Sequence, residues 1–285
     1  HNHRTLYFLA MAKLFKNKLA AKFLTAIHLI AIYRVRDGVN STKHNKKVFE
    51  KCTQLLSNNE SILLFPEGSH NRNRYIRPLQ SGFSKISYDF LQNNPNSKLY
   101  IIPVGLNYSS MTKYPAKTKI IYGDKILANA YFEENYRKFT GKLIEKTSAS
   151  LKEIIVHIPK ENYAKTINNI NPDEFLTPKK TNKKITTDHY LNKNNNPLKK
   201  HSKKNIFYRL MQINTLGAFL FWYWLKPKIK TPEFISTAKF SIGLGLFPIV
   251  YLTQSVVIYL SFNLLSSVTY LLLSVLIVFL SSKTN

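Results

Sequence analysis

A carboxylate, a glycine, a hydroxyl and a run of bases follow one another at Glu67, Gly68, Ser69, His70, Arg72, Arg74 and Arg77. Guanidinium groups are planar donor forks matched to phosphate oxygens, so the arginines suit a phosphorylated ligand. Pro66 restricts the backbone just ahead, and Gly68 lets a bulky ligand approach the main chain closely. The apolar run Ile62-Leu63-Leu64 precedes them and a second, Ile101-Ile102-Pro103-Val104, comes later. Runs of that length read as buried strands, which would present the polar set in a loop at a strand end. No Cys/His spacing suits zinc and no Gly-rich dinucleotide loop is present, so neither metal nor cofactor is expected.

The stretch Phe65-Pro66-Glu67-Gly68-Ser69-His70-Asn71-Arg72 resembles the third motif of the glycerolipid acyltransferases, the lysophosphatidic acid acyltransferase superfamily. Ile30-Ala31-Ile32-Tyr33-Arg34 resembles the second motif, and Ile102-Pro103-Val104-Gly105 the fourth. Gly82 stands where members carry a glycine before a helix, and the likeness runs over residues 4–125 and more loosely over the apolar tail. The resemblance implies a mixed-sheet α/β acyltransferase domain. It implies transfer of a fatty acyl group from acyl-CoA or acyl carrier protein to a lysophospholipid hydroxyl, foremost that of 1-acylglycerol-3-phosphate, in phospholipid synthesis. Arg34, Arg72 and Arg74 would then meet the acceptor phosphate, Glu67 would position its polar groups, and Gly68 and Ser69 would offer donors. Arg34 and Arg36 also stand beside Asp37, where surface ion pairs would need no ligand. His70 replaces the arginine that members often carry there, which bears on the preferred head group.

In that family the general base is a His followed at the fifth residue by Asp, ahead of the second motif. The fifth residue after each of His1, His3, His28, His44, His70, His157, His189 and His201 is something other than Asp. Because a segment like Leu6 to Phe15 follows that motif closely in the family, the expectation is a catalytic His just upstream of residue 1. The alternative is an inactive membrane lipid-binding relic that keeps the pocket without its base. His1 and His3 at the terminus are weaker substitutes. No catalytic residue is therefore assigned within the chain.

The elements that must position this chemistry read as alternating strands and helices. A helix then a strand are expected over 4–35, a helix from Asn40-Ser41-Thr42 to Ser57, and a strand over 61–65. A helix near 81–93, strands at 98–106 and around Ile120, and a helix over 132–154 complete an acyltransferase domain at 1–158. Lys13, Lys16, Lys18 and Lys22 interleave with Leu14, Phe15, Leu19, Phe23 and Leu24, a basic amphipathic pattern that fits lipid headgroups or a solvated helix face. Residues 159–205 are Lys- and Asn-rich and read as a solvated linker with some short helix. Over 206–285 the tail carries two uncharged runs, near 240–262 and 264–280, which are long enough to cross a bilayer as a hairpin. Asn263 marks the reversal between them, and Lys239 and Lys283 place both ends on the cytoplasmic face. Leu216 to Leu225 is too short to span and, with Trp222, Tyr223 and Trp224, suits an interfacial or re-entrant anchor.

A formal charge of +27 over 285 residues calls for an anionic partner. The apolar tail and the lack of a nucleic-acid reader motif favour membrane lipids over nucleic acid. Cys52 is the single cysteine, so no internal disulfide forms, and it reads as a small buried residue of an amphipathic helix.

Overall fold

The computed structural model describes residues 4–33, 41–69, 71–111, 116–191, 206–229 and 234–283. The chain divides into two compact units. The first comprises 1–107, 120–163 and 177–187, and the second 108–119, 164–176 and 188–285.

The first unit is organised on a three-stranded parallel sheet, β1 (Leu6–Met11), β2 (Leu29–Ile32) and β3 (Ser61–Leu63), in the order β2-β1-β3. Phe8 is the register anchor, opposite Leu29 on one side and Leu63 on the other. Parallel neighbours need crossovers, supplied by α1 (Lys18–Ala26) and α2 (Ser41–Ser57). Asn17 caps α1 by accepting from the amides of Leu19 and Ala20 at 2.9 and 3.2 Å. Each crossover helix ends on a residue in the left-handed region, His28 at φ 63° and Asn59 at φ 63°, both types that tolerate it.

A single helix followed by a strand was expected over 4–35, whereas the structure puts the central strand β1 ahead of α1. Leu6 to Met11 is apolar throughout and so carries no period to separate strand from helix, while the lysines after it extend a helical pattern backwards. α2, β3, α3 (Gly82–Asn93), β6 (Thr118–Tyr122) and α4 (Tyr136–Ile154) fall where the sequence places them. The run at 98–106 is split by Pro103 into β4 (Tyr100–Ile101) and β5 (Val104–Tyr108). β4 pairs antiparallel with β7 (Ile126–Leu127), and β5 pairs with β6. Helix and strand are thus mixed, with the strands of the described residues distributed over three small sheets.

The core of this unit lies between α3 and α4. Phe83, Phe90, Leu91, Ala128, Phe139 and Leu143 form its centre, with Leu64 and Ile76 from either end of the motif loop packed against it. Asn135 caps α4 through the amides of Arg137 and Lys138. At the other end of α4 the main chain of Ile154 receives the Asn107 side-chain amide at 2.9 Å, and a Cβ on Gly105 would meet the same carbonyl oxygen at 2.5 Å. α6 (Pro178–Thr186) closes the helix end: the Asn182 side chain donates to the carbonyls of Lys152 and Ile155 and accepts from the amide of His157.

The expected linker is more ordered than its composition suggests. Besides α6, the structure has α5 (Tyr163–Asn169) and a short 3-10 turn at Pro172–Leu176, with Ile170, Phe175, Ile185 and Tyr190 buried. A few well-spaced apolar residues suffice here because Asn and Thr side chains satisfy the backbone around them; Asn169 reaches the carbonyl of Tyr190, whose hydroxyl donates to Glu174. Residues 192–205, with the paired lysines at 199–200 and 203–204, lie outside the described residues.

In the second unit the tail forms α7 (Ile206–Asn214), α8 (Leu216–Leu225), α9 (Phe234–Ser261) and α10 (Leu264–Lys283). α9 and α10 are long and apolar enough to cross a membrane. Asn263 makes the reversal, its side chain accepting from the amide of Ser266 at 2.9 Å and its carbonyl from Ser267. The helices are joined by polar side chains. Ser255 and Ser267 hydroxyls lie 2.7 Å apart, and the amide of Asn214 donates to Ser274. The Tyr270 hydroxyl lies 2.9 Å from Asn214 Oδ1 and 2.7 Å from Gln254 Oε1, its one proton shared between two acceptors.

Candidate functional site

The carboxyl ends of β1, β2 and β3 lie on one edge of the parallel sheet, and the motif loop leaves β3 at that edge. Open α/β sheets bind ligands there, because the connections leaving the strands diverge and leave a crevice. Phe65 is exposed, and Pro66, Glu67, Gly68 and Ser69 are half-buried. Two backbone bonds tie the loop down, from Gly68 N to the Phe65 carbonyl at 3.1 Å and from Gln80 N to the Pro66 carbonyl at 2.7 Å. Gly68 adopts φ +67°, where an L side chain is strained, and a Cβ would stand 3.0 Å from Gln80 Cγ. This position therefore requires glycine.

Arg77 organises the loop. Its Nη2 lies 3.1 Å from Glu67 Oε2, and its backbone amide donates to Glu67 Oε1 at 3.3 Å. Nη1 donates to the Ser69 hydroxyl at 2.6 Å, and Nη2 also donates to the Ser69 carbonyl. The guanidinium thus grips both Glu67 and Ser69 from a partly shielded position, its side chain 24% exposed. Its Nε is buried and has no acceptor among the described residues. An Arg that already holds a carboxylate makes an electrically balanced floor for the loop, so the net positive charge that a phosphate requires must come from other arginines.

The segment after the loop is pinned along its length. The Arg74 amide donates to the Tyr163 hydroxyl at 2.9 Å, the Arg74 carbonyl accepts from Ile158, and the Ile76 amide donates to His157 Nδ1 at 3.1 Å. Burial pushes the Arg74 guanidinium pKa down to about 10, which leaves it charged at neutral pH. Arg72 is exposed. Arg34 and His70 lie outside the described residues. Of the residues expected to touch an acceptor, the structure therefore brings Glu67, Gly68 and Ser69 together, with Arg74 seated three residues short of Arg77.

The sequence names Arg77 as a phosphate-suited base beside Arg72 and Arg74 but leaves it out of the acceptor-binding set. The available signal is spacing: Arg77 immediately precedes Pro78, and the chain must come back along the loop to reach Gln80. Cys52 is fully buried in α2, and burial raises its thiol to about 12, so it is inert. Among the described residues no cluster of His, Cys, Asp and Glu could hold a metal ion.

The family model described as Acyltransferase matches residues 1–107, the first segment of the sheet-bearing unit. Among curated proteins, glycerol-3-phosphate O-acyltransferase 2 of Saccharomyces cerevisiae is 24% identical over 119 residues, which is 40% of this chain and 16% of that protein. Glycerol-3-phosphate O-acyltransferase 1 of the same yeast is 27% identical over 116 residues, 38% of this chain and 15% of that protein. An uncharacterized acyltransferase of Schizosaccharomyces pombe is 26% identical over 106 residues, 37% of this chain and 15% of that protein. The matching region thus spans about one-sixth of the length of the first of these relatives.

Proposed function

We infer, from the match of residues 1–107 to the acyltransferase family model, that this chain takes part in acyl transfer to a glycerol phosphate at a membrane. The acceptor proposed is a lysophospholipid, 1-acylglycerol-3-phosphate first, and the donor is acyl-CoA or acyl carrier protein. The observation that carries this reading is the loop at the sheet edge, where Arg77 fixes Glu67 and Ser69 side by side. An acceptor of this class has a phosphate, which needs cations, and a free hydroxyl, which needs an oriented acceptor to turn it toward the acyl donor. Arg34, Arg72 and Arg74 are proposed for the phosphate, Glu67 for the glycerol hydroxyls and Ser69 as a donor; Gly68, expected as a second donor, already gives its amide to the Phe65 carbonyl and is proposed instead to let the ligand approach the main chain closely. The proton of the attacking hydroxyl goes to a His–Asp pair in this family's chemistry, and these 285 residues hold no His–x4–Asp sequence. The role proposed for the chain's own residues is therefore to bind and orient the acceptor.

A second acceptor, glycerol 3-phosphate itself, is favoured by the names of the two yeast relatives. The membrane reading rests on α9 and α10, proposed to form an integral hairpin with the sheet-bearing unit on the cytoplasmic face.

Calorimetric titration of the detergent-solubilised chain with 1-hexanoylglycerol 3-phosphate and with glycerol 3-phosphate tests the assignment. Tighter binding of the acylated ligand supports the lysophospholipid, and equal or tighter binding of glycerol 3-phosphate supports the second acceptor. Absence of heat with both would overturn the glycerol phosphate reading.

A further inference from the structure

α1 is inverted relative to the surface helix of a water-soluble protein. Its small residues Ala20 and Ala21, with Leu24, are the half-buried ones, while its large apolar side chains point outward. Leu19 is 81% exposed and Phe23 65% exposed, with Ile27 next in the same i, i+4, i+8 row. Leu14, on the 3-10 turn that leads into the helix, is also exposed. Lys18 and Lys22 form a second exposed row beside the apolar one, with Lys13 and Lys16 ahead of them. Between Arg4 and Tyr33 the sequence has no Asp or Glu.

A row of large apolar groups facing outward marks a contact surface, and the lysines decide its kind. A protein partner would have to supply carboxylates around an apolar ridge. An anionic bilayer supplies both components in the right order, phosphates outside and acyl chains within, and lysine stems reach from one to the other. We propose that α1 and its leading turn lie in the interface of an anionic bilayer, with Leu14, Leu19, Phe23 and Ile27 in the acyl boundary and Lys13, Lys16, Lys18 and Lys22 among the phosphates. This gives the sheet-bearing unit its own membrane contact, separate from the apolar tail.

The placement also serves the site. β1 and β3 run parallel, so the turn that leaves β1, with Lys13 and Leu14, stands at the same sheet edge as the loop that leaves β3. Phe65, 67% exposed, is the first residue of that loop to face outward. A lipid acceptor at this edge enters from the bilayer and reaches Glu67 without crossing water.

The inference rests on the membrane reading given under the proposed function, and the test separates the two. The full chain is reconstituted into phosphatidylcholine nanodiscs with and without phosphatidylglycerol. A fluorophore is attached in turn at Leu19→Cys, Phe23→Cys and, as the control on exposed α4, Glu145→Cys; the native Cys52 is buried and does not compete. Quenching by lipids spin-labelled along the acyl chain should be about threefold greater at residues 19 and 23 than at 145, in anionic discs. Adding Lys18→Glu and Lys22→Glu should reduce that difference, whereas a purely apolar contact would leave it unchanged and remove the anionic lipid from the proposal. Labels at 19 and 23 that remain water-exposed, or that are shielded without lipid quenching, overturn the inference. Failure of the chain to incorporate into discs at all overturns the membrane reading instead.

Discussion

Glu67 is held at both oxygens by Arg77, so it enters any reaction in one fixed orientation and with part of its charge already answered. Arg77 is thus a positioning residue for Glu67 and Ser69. Glu67→Ala should weaken binding of 1-hexanoylglycerol 3-phosphate by about tenfold, ~1.4 kcal/mol. Arg77→Ala should approach that loss, and Arg77→Lys should recover only part of it, because an ammonium cannot hold two partners in one plane. Equal affinities for Arg77→Ala and the unmodified chain, by calorimetry, would remove Arg77 from the site. The resemblance made Glu67, Gly68 and Ser69 legible because they sit inside a contiguous motif. Arg77 was not legible as a partner because its role depends on a loop closing over a distance that only the fold defines.

His157 offers a second residue-level test. Its Nδ1 accepts the Ile76 amide, which requires that nitrogen to be unprotonated. Burial, then the charge of Lys152, holds its pKa below the ordinary 6.5. Below about that pH the unfolded chain binds the proton more readily, so stability is complete above the window and is lost as pH falls through it. The thermal midpoint of the sheet-bearing unit should fall between about pH 7.5 and pH 5.5, and His157→Gln should flatten the slope. A slope identical in both proteins would assign the acid sensitivity elsewhere.

Among the elements, α4 and β5 show how closely the unit is built. Gly105 lies against the last carbonyl of α4, and Asn107 on the same strand donates to it. Gly105→Ala would drive a methyl into backbone that cannot swing aside, and a loss of about 1–3 kcal/mol is expected in denaturant melts. A neutral outcome would show that strand and helix end are free to separate. The sequence placed a helix at α4 and an apolar run at β5, but not their contact. A glycine in a strand signals close approach without naming what approaches. β1 was the converse failure: an unbroken apolar run has no period, and only pairing on both sides makes it a strand.

For the whole molecule, the apolar tail was the plainest feature of the sequence, because length without charge is a one-dimensional property. Its polar cross-links were not legible: Asn214 and Gln254 are far apart in sequence, and both converge on Tyr270. If α9 and α10 form the proposed hairpin, cysteines placed at Lys228 and Lys283 should react with an impermeant maleimide from one side of sealed vesicles. One at Asn263 should react from the other. Labelling of all three from the same side would mean that the pair lies along the surface.

The sheet-bearing unit takes its last segment from residues 177–187, and the candidate spans begin only at Phe234. Translation at about 5–20 residues per second puts a few seconds between the two. The strands and helices described for the parallel-sheet unit have therefore left the peptidyl-transferase centre before α9 is made. The unit has a head start over the tail, so if α9 and α10 insert as proposed, its chaperone demand and the tail's demand on the insertion machinery fall in succession and not together.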